Sequence, residues 1–412
     1  MKVLAESEDL PPQDWGGCRV GLIRKAGSHP SVAGLSDNEI SPLSRNDRPL
    51  SFRTNVRNLK AYSGVDPLGR LNPLCISPKL GGEVFKHLTC SKETNMHRLL
   101  LCLLLAFAFF LTAQAQPGKP QIRKLGTIDC DLVETTPIVF QNRLYRFEYV
   151  RKNYKPNTTG DSYFHFIDVE TGKPTASFAE GFNLGCANVD KNTVYVYGVK
   201  GWGTTKIYQF QSKDLNEWTS AMVLEKPNWE IFNTSVCRGP NGYTMAIEFR
   251  ADKEECGVPF TIRFATSKNL KTWELLPADR IFTKDRYSSC PTLRFLDGMY
   301  YMIYDEELPG PTYEPYLIRS KDLIQWESSP FNPFMVHSET EDKQIANPNL
   351  TTEQVEHIKN SVNINNADTD LCEYNGKTVI YYCWGNQQGI EFLAEAAYDG
   401  PMEKLLKGFF PE

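Results

Sequence analysis

The chain has 412 residues, 41% apolar and 23% charged, with a formal net charge of −5. That is enough apolar material for one or more packed domains. Its 45 basic residues are outnumbered by 50 acidic ones and form no basic stripe, so the clustered cations that a phosphate backbone demands are missing and no nucleic-acid partner is expected.

Residues 1–95 are rich in Pro, Ser, Gly, Asn and Arg and carry no sustained apolar period. Such a segment cannot bury enough surface to offset its chain entropy, so it reads as a disordered leader or as sequence upstream of the true start at Met96. "MHRLLLCLLLAFAFFLTAQAQ" then places His97 and Arg98 before an apolar run from Leu99 to Leu111, followed by Ala113-Gln114-Ala115. This is the layout of a secretory signal peptide over 96–115. The run falls short of the roughly 20 residues of a membrane span, so no stable span is expected after cleavage, although an internal anchor with a disordered head is the other reading. The expectation is a secreted or periplasmic protein whose mature part is 116–412.

Seven cysteines lie in that mature part, an odd number without paired metal spacing, which leaves Cys237 and Cys256 as candidate disulfide partners and no zinc motif. The sequons at Asn157, Asn233 and Asn349 matter only if the host glycosylates.

From 136 onward the pattern is a series of strand pairs. The stretches 136–150, 187–198, 236–249, 292–307 and 370–384 each read as a hairpin. The last three turn through Asn241-Gly242, Asp297-Gly298 and Asn375-Gly376, the strongest short hairpin cues. "SKDLNEW" at 212–218 returns as "SKNLKTW" at 267–273 and "SKDLIQW" at 320–326, each closing a β-rich stretch. Five units of about 50 residues, each a small antiparallel sheet, predict an all-β, five-bladed β-propeller over 116–412. The repeat is structural, since each blade needs neighbours to cover its faces, and Trp218, Trp273 and Trp326 are expected at the blades' outer edges. Between blades four and five the spacing widens to hold a short helical insertion, capped by Thr351 or Thr352 and ending near Ser361, of the kind that shapes a binding mouth.

"CPTLRFLDGMYYMIY" together with the repeated "SKDLxxW" resembles the five-bladed propeller glycosidases, the superfamily that holds glycoside hydrolase families 43, 32, 68 and 117. The likeness runs from about residue 127 to 412. It implies a pocket on the propeller axis in which carboxylates at the start of the innermost strands serve as base and acid. An inverting pair of this kind stands roughly 6.5–9.5 Å apart, and the acid is kept protonated by burial or a neighbouring charge.

Aligned on their turns, the hairpins put Thr136, Cys186, Thr234, Cys290 and Asp368 at that slot, so one acid only. Asp368 is therefore the leading catalytic candidate. Glu134, Glu248 and Glu230 follow, in that order, for the complementary role. Asn366, Asp370, Trp202, Trp384 and Asp285 are candidate substrate-binding residues, the tryptophans as stacking platforms. "DEE" at 305–307 reads as a solvated strand end, and His337 or His357 on the insertion is within reach of a substrate. No cofactor or metal is required. The oxygen-rich stretch 365–370 is either an Asx-held turn or a Ca²⁺ cradle. The expected function is a secreted glycoside hydrolase acting on plant or algal oligosaccharides, exo-acting because an axial pocket admits chain ends. The alternative is a catalytically inactive carbohydrate-binding propeller, favoured by a ring with a single acid.

Overall fold

The computed structural model describes residues 118–151, 162–310, 312–386 and 389–411. The leader, the signal segment and the Asn157 sequon lie outside the described residues. Among the described residues no helix is long and apolar enough to cross a membrane.

Five four-stranded antiparallel sheets make a five-bladed propeller, as the repeat predicts. From the axis outward, blade one is β2 (Val133–Phe140), β3 (Arg143–Val150), β4 (Tyr163–Asp168) and β5 (Lys173–Pro174). Blade two runs β6 (Asn183–Asp190), β7 (Thr193–Val199), β8 (Lys206–Ser212) and β9 (Thr219–Glu225). Blade three runs β10 (Glu230–Gly239), β11 (Gly242–Arg250), β12 (Thr261–Ser267) and β13 (Glu274–Leu275). Blade four runs β14 (Ser288–Leu296), β15 (Met299–Leu308), β16 (Thr312–Ser320) and β17 (Glu327–Ser328). Blade five is assembled from both ends of the domain: β18 (Asn365–Tyr374), β19 (Lys377–Gly385) and β20 (Glu391–Tyr398), with β1 (Arg123–Cys130) as its outermost strand. Pairing Arg123 with Ala397 and Cys130 with Phe392 closes the ring, so no blade is left with an open flank.

The hairpin turns follow local chemistry. Asp297-Gly298 and Asn375-Gly376 both take positive φ at their two central residues, the primed turn that suits strand twist. The "SKDLxxW" repeat is an ST–Asx device. The Ser212 hydroxyl accepts from the backbone of Asp214 and Leu215, while Asp214 accepts from the backbone of Asn216 and Glu217. Ser267–Asn269 and Ser320–Asp322 repeat it. Each device turns the chain so that its Trp docks on the preceding blade. Trp218 stacks on Phe178 at 3.8 Å, Trp273 meets Tyr197 at 5.8 Å and Trp326 stacks on Phe264 at 5.7 Å. The tryptophans therefore stitch blade to blade, in addition to lying at the outer edge.

The insertion packs on blade five. Thr351 caps its helix (Thr352–Asn360) through a capping box with Gln354. Ile358 enters the same apolar cluster as Trp384 and Phe392. Buried Asp342 ties the insertion to Lys124 of β1 and to the Tyr382 hydroxyl. The insertion thus braces the closure of the ring. His337 bonds Glu314 and His357 lies against Phe392, and neither lines the axial pocket. All seven cysteines among the described residues are free. Cys237 sits between blades three and four while Cys256 belongs to the cluster over blades one to three, which rules out the expected bridge.

Candidate active site

Each innermost strand carries the same irregularity. Pairing with its neighbour skips two residues between Val133 and Thr136, Asn183 and Cys186, Ile231 and Thr234, Ser289 and Thr292, and Ala367 and Asp370. These are β-bulges, which re-aim side chains and recur beside active sites. The first residues of the five bulges are Glu134, Leu184, Phe232, Cys290 and Asp368. Four of them hold a positive φ between 47° and 55° although none is glycine, a strained state that persists only where the surroundings enforce it.

The bulges correct the ring deduced from the turns. Blade one presents Glu134 at the slot, two residues before Thr136, so the ring holds two acids. One oxygen of Glu134, the sulfur of Cys290 and one oxygen of Asp368 lie within 4.8 Å of one another. Two residues further along each strand is a second ring of Thr136, Cys186, Thr234, Thr292 and Asp370, all lining the same axial pocket. That ring is tied across by Cys186 to Thr234 at 3.3 Å and by Arg294 clasping Asp370, which makes it the floor.

Two further carboxylates close on the cluster from second strands. Glu248 of β11 is 3% exposed and accepts from the Cys290 backbone N–H at 2.8 Å. Asp305 of β15, 2% exposed, accepts from the Asp368 backbone N–H at 3.0 Å. "DEE" is thus no solvated strand end at its first residue, because β15 passes directly behind the bulge of β18. The Asn233 amide knits the group together, donating to Glu134 at 3.1 Å and Glu248 at 3.0 Å and lying 3.3 Å from the Cys290 sulfur.

Four acids packed this closely and largely covered cannot all ionise. Burial, and then the charge of Asp368, pushes the Glu134 carboxyl well above the usual carboxylate range. Asp305 is raised in the same way and for the same two causes. Burial raises Glu248 to about 7 despite the hydrogen bonds from Cys290 and Asn233. Asp368 is also raised by burial, but the thiols of Cys290 and Cys383, the positive charge of Arg151 and the Glu134 backbone N–H favour its anion. Burial and the surrounding carboxylates hold the Cys290 thiol well above its ordinary value.

Of the residues singled out in the sequence, Asp368, Glu134 and Glu248 converge, and Asp370 lies one ring below. The others do not join them. Glu230 pairs with Arg250 and keeps its side chain 39% exposed. Asp285 is an exposed loop residue hydrogen-bonded to Thr283. Trp202 packs against Phe232 at 5.3 Å and does not line the axial pocket. Trp384 is fully buried, stacked on Phe392 and donating to Thr127, so it offers no platform. Asn366 bonds Asp342 and Lys124, Asp370 bonds Arg294, and Asp368 faces Glu134 and Cys290, so the polar side chains of 365–370 turn to different partners. Cys290 stands at the ring slot as its turn predicts, whereas Asn233 and Asp305 enter the site through pairing register, a long-range property that no local motif marks.

The sequence matches no protein-family model and no curated protein. Among solved structures the chain is similar to a xylan β-1,4-xylosidase from Bacillus halodurans (14% identity, TM-score 0.45), covering 67% of this chain and 54% of that one. It is also similar to an α-L-arabinofuranosidase from Podospora anserina crystallised with cellotriose (9%, TM-score 0.48; 69% and 98% covered). An endo-arabinase from Bacteroides thetaiotaomicron is a third (12%, TM-score 0.44; 67% and 99% covered). This chain spans little more than half the xylosidase's length, and the likeness is one of fold. Fold and site together define a five-bladed propeller with a buried carboxylate cluster on its axis.

Proposed function

We propose that this protein is a secreted or periplasmic glycoside hydrolase that cleaves plant or algal oligosaccharides at the axial pocket. The observation that carries this reading is the Glu134–Asp368 pair, with an oxygen of each within 4.8 Å of the other and both proton affinities raised by burial, that of Glu134 also by the charge of Asp368. Glu134 keeps its proton near neutrality and donates it to the leaving oxygen. Asp368, its anion held by two thiols and a backbone N–H, attacks the anomeric carbon as the glycosidic C–O bond breaks. Glu134, now ionised, takes a proton from water, whose oxygen displaces Asp368 and releases the sugar. The separation matches the close carboxyl pair of retaining enzymes, about 5 Å, better than the wider inverting pair. A floor tied by Asp370 and Arg294 supports entry of a chain end.

The test is incubation with a panel of oligosaccharides and aryl glycosides, beside Asp368→Asn and Glu134→Gln. Cleavage by the parent with net retention, lost by several orders of magnitude in Asp368→Asn, is the expected result. Binding without release by the parent would instead establish a lectin-like propeller. Secretion is tested separately: the exported protein should begin at Gln116.

A further inference from the structure

The acid–base pair has a third neighbour in the bulge ring, and it is a thiol. The Cys290 sulfur and one oxygen each from Glu134 and Asp368 lie within 4.8 Å of one another. All three side chains are part-buried and line the axial pocket, so a small solute entering by the mouth reaches them. The cavity there measures about 30 Å³, room for one ion with a water. The three backbones are fixed, since each residue is held at positive φ in its bulge.

The groups behind the triad resemble the supporting shell of a metal centre. Glu248 accepts from the Cys290 backbone N–H, Asn233 donates to Glu134, and Asp305 accepts from the Asp368 backbone N–H. Two oxygens are left over. Asp305, 2% exposed, has its Oδ1 covered and without a hydrogen-bond partner, and the Cys290 thiol lies beside that carboxyl. Glu134 Oε2 is likewise covered and unpartnered. Covered oxygens without a donor are costly, and a cation with a bound water among them would satisfy both.

The donor set also selects the ion. Carboxylates alone would suit Ca²⁺ or Mg²⁺, which take oxygen ligands. A sulfur ligand shifts the preference to Zn²⁺ and other thiophilic ions. Zn²⁺ bonds sulfur at about 2.3 Å and oxygen at about 2.0–2.2 Å, commonly through three protein ligands and an open position. On binding, Cys290 and Glu134 release their protons to water, leaving one thiolate and two carboxylates around a doubly charged ion.

We infer that Glu134, Cys290 and Asp368 form a capture site for a thiophilic divalent cation, and that the bound ion shuts the pocket by occupying both the acid and the nucleophile. The shut-off rests on the glycosidase reading, whereas the cation site stands on the geometry alone. Asp305 is its positioning residue, acting through Asp368 and a metal-bound water.

The experiment uses the full chain, stripped with a chelator and titrated with Zn²⁺, Ca²⁺ or Co²⁺ by calorimetry and absorption. Melting curves confirm that each variant folds. The parent should bind one equivalent of Zn²⁺, with Ca²⁺ at least about 100-fold weaker, and its Co²⁺ form should show a thiolate-to-metal charge-transfer band. Cys290→Ser should abolish that band and weaken Zn²⁺ by more than about 100-fold, and Asp305→Asn should keep the band but weaken Zn²⁺ by about 10–100-fold. Cys372→Ser, remote from the ring, should change neither. No Zn²⁺ binding by the parent, equal affinity for Ca²⁺, or a band that survives Cys290→Ser would overturn the site. Zn²⁺ should also inhibit cleavage of an aryl glycoside by the parent, reversibly with chelator, and full activity of the Zn²⁺-loaded parent would refute the shut-off. If no substrate is cleaved at all, the shut-off falls with the hydrolase reading, while calorimetry and the cobalt band still judge the cation site.

Discussion

Replacing Asn233 by Ala removes one buried amide and perturbs two carboxyls at once. Its nitrogen donates to Glu134 at 3.1 Å and to Glu248 at 3.0 Å, in both cases favouring the ionised form. A hydrogen bond to a charged group contributes about 1.5–3 kcal/mol, and one pKa unit corresponds to about 1.4 kcal/mol, so each carboxyl should gain about one to two units. The other groups facing Glu134 are Asp368 and Glu248, which raise it, and Arg151, which lowers it, and the substitution leaves all three in place. If protonated Glu134 is the acid, the alkaline limb of the kcat/KM profile marks loss of its proton. That limb should move to higher pH by about one to two units while the acidic limb, set by Asp368, moves less. The assay is a pH–rate profile on the best aryl glycoside, with carbon-13 titration of the carboxyls as a readout that needs no turnover. An unmoved alkaline limb together with a lowered melting temperature would mean that Asn233 is only a structural link, and the assignment of Glu134 would fall with it.

Two other expectations concern stability. Glu248 titrates at about 7 in the folded protein against 4.5 ordinarily, so the native state holds the extra proton. Stability should therefore fall as pH rises from about 4.5 to 7, by about 3 kcal/mol, and Glu248→Gln should relieve that loss at pH 8 but not at pH 4.5. Denaturant titrations at the two pH values check this, and parallel shifts of parent and variant would refute it. Trp273 is buried at the seam of blades two and three and donates to the Leu270 carbonyl at 3.0 Å. Trp273→Ala should cost about 3–5 kcal/mol, seen as a drop in melting temperature and in the urea midpoint.

The elements readable in the sequence are those whose cause is local. Asp297-Gly298 and Asn375-Gly376 set their turns through residues that tolerate positive φ. The Ser-Lys-Asp turns satisfy their own backbone N–H groups, and Thr351 caps its helix with a partner three residues away. Repetition of such units is enough to specify a five-bladed ring, because a blade without neighbours cannot cover its faces. Asp368 was visible for a related reason, standing at the slot counted back along its strand from the Asn375-Gly376 turn.

Tertiary structure decided the rest. The bulge brings Glu134 to the ring in place of Thr136, and a one- or two-residue difference in register decides which side chain faces the axis. Closure by β1 joins residues more than 250 positions apart, and no local signal records such a pairing. Asp305 looks like an ordinary strand-end carboxylate until the neighbouring blade covers it, and it is that covering which raises its proton affinity, as it raises that of Glu248. Trp384 has the residue type of a sugar platform but lies inside blade five. A chain of turns and alternating strands determines that a propeller forms. Which acids meet in the pocket on its axis depends on how five bulged strands pack against one another, because burial and charge proximity exist only once the ring has closed.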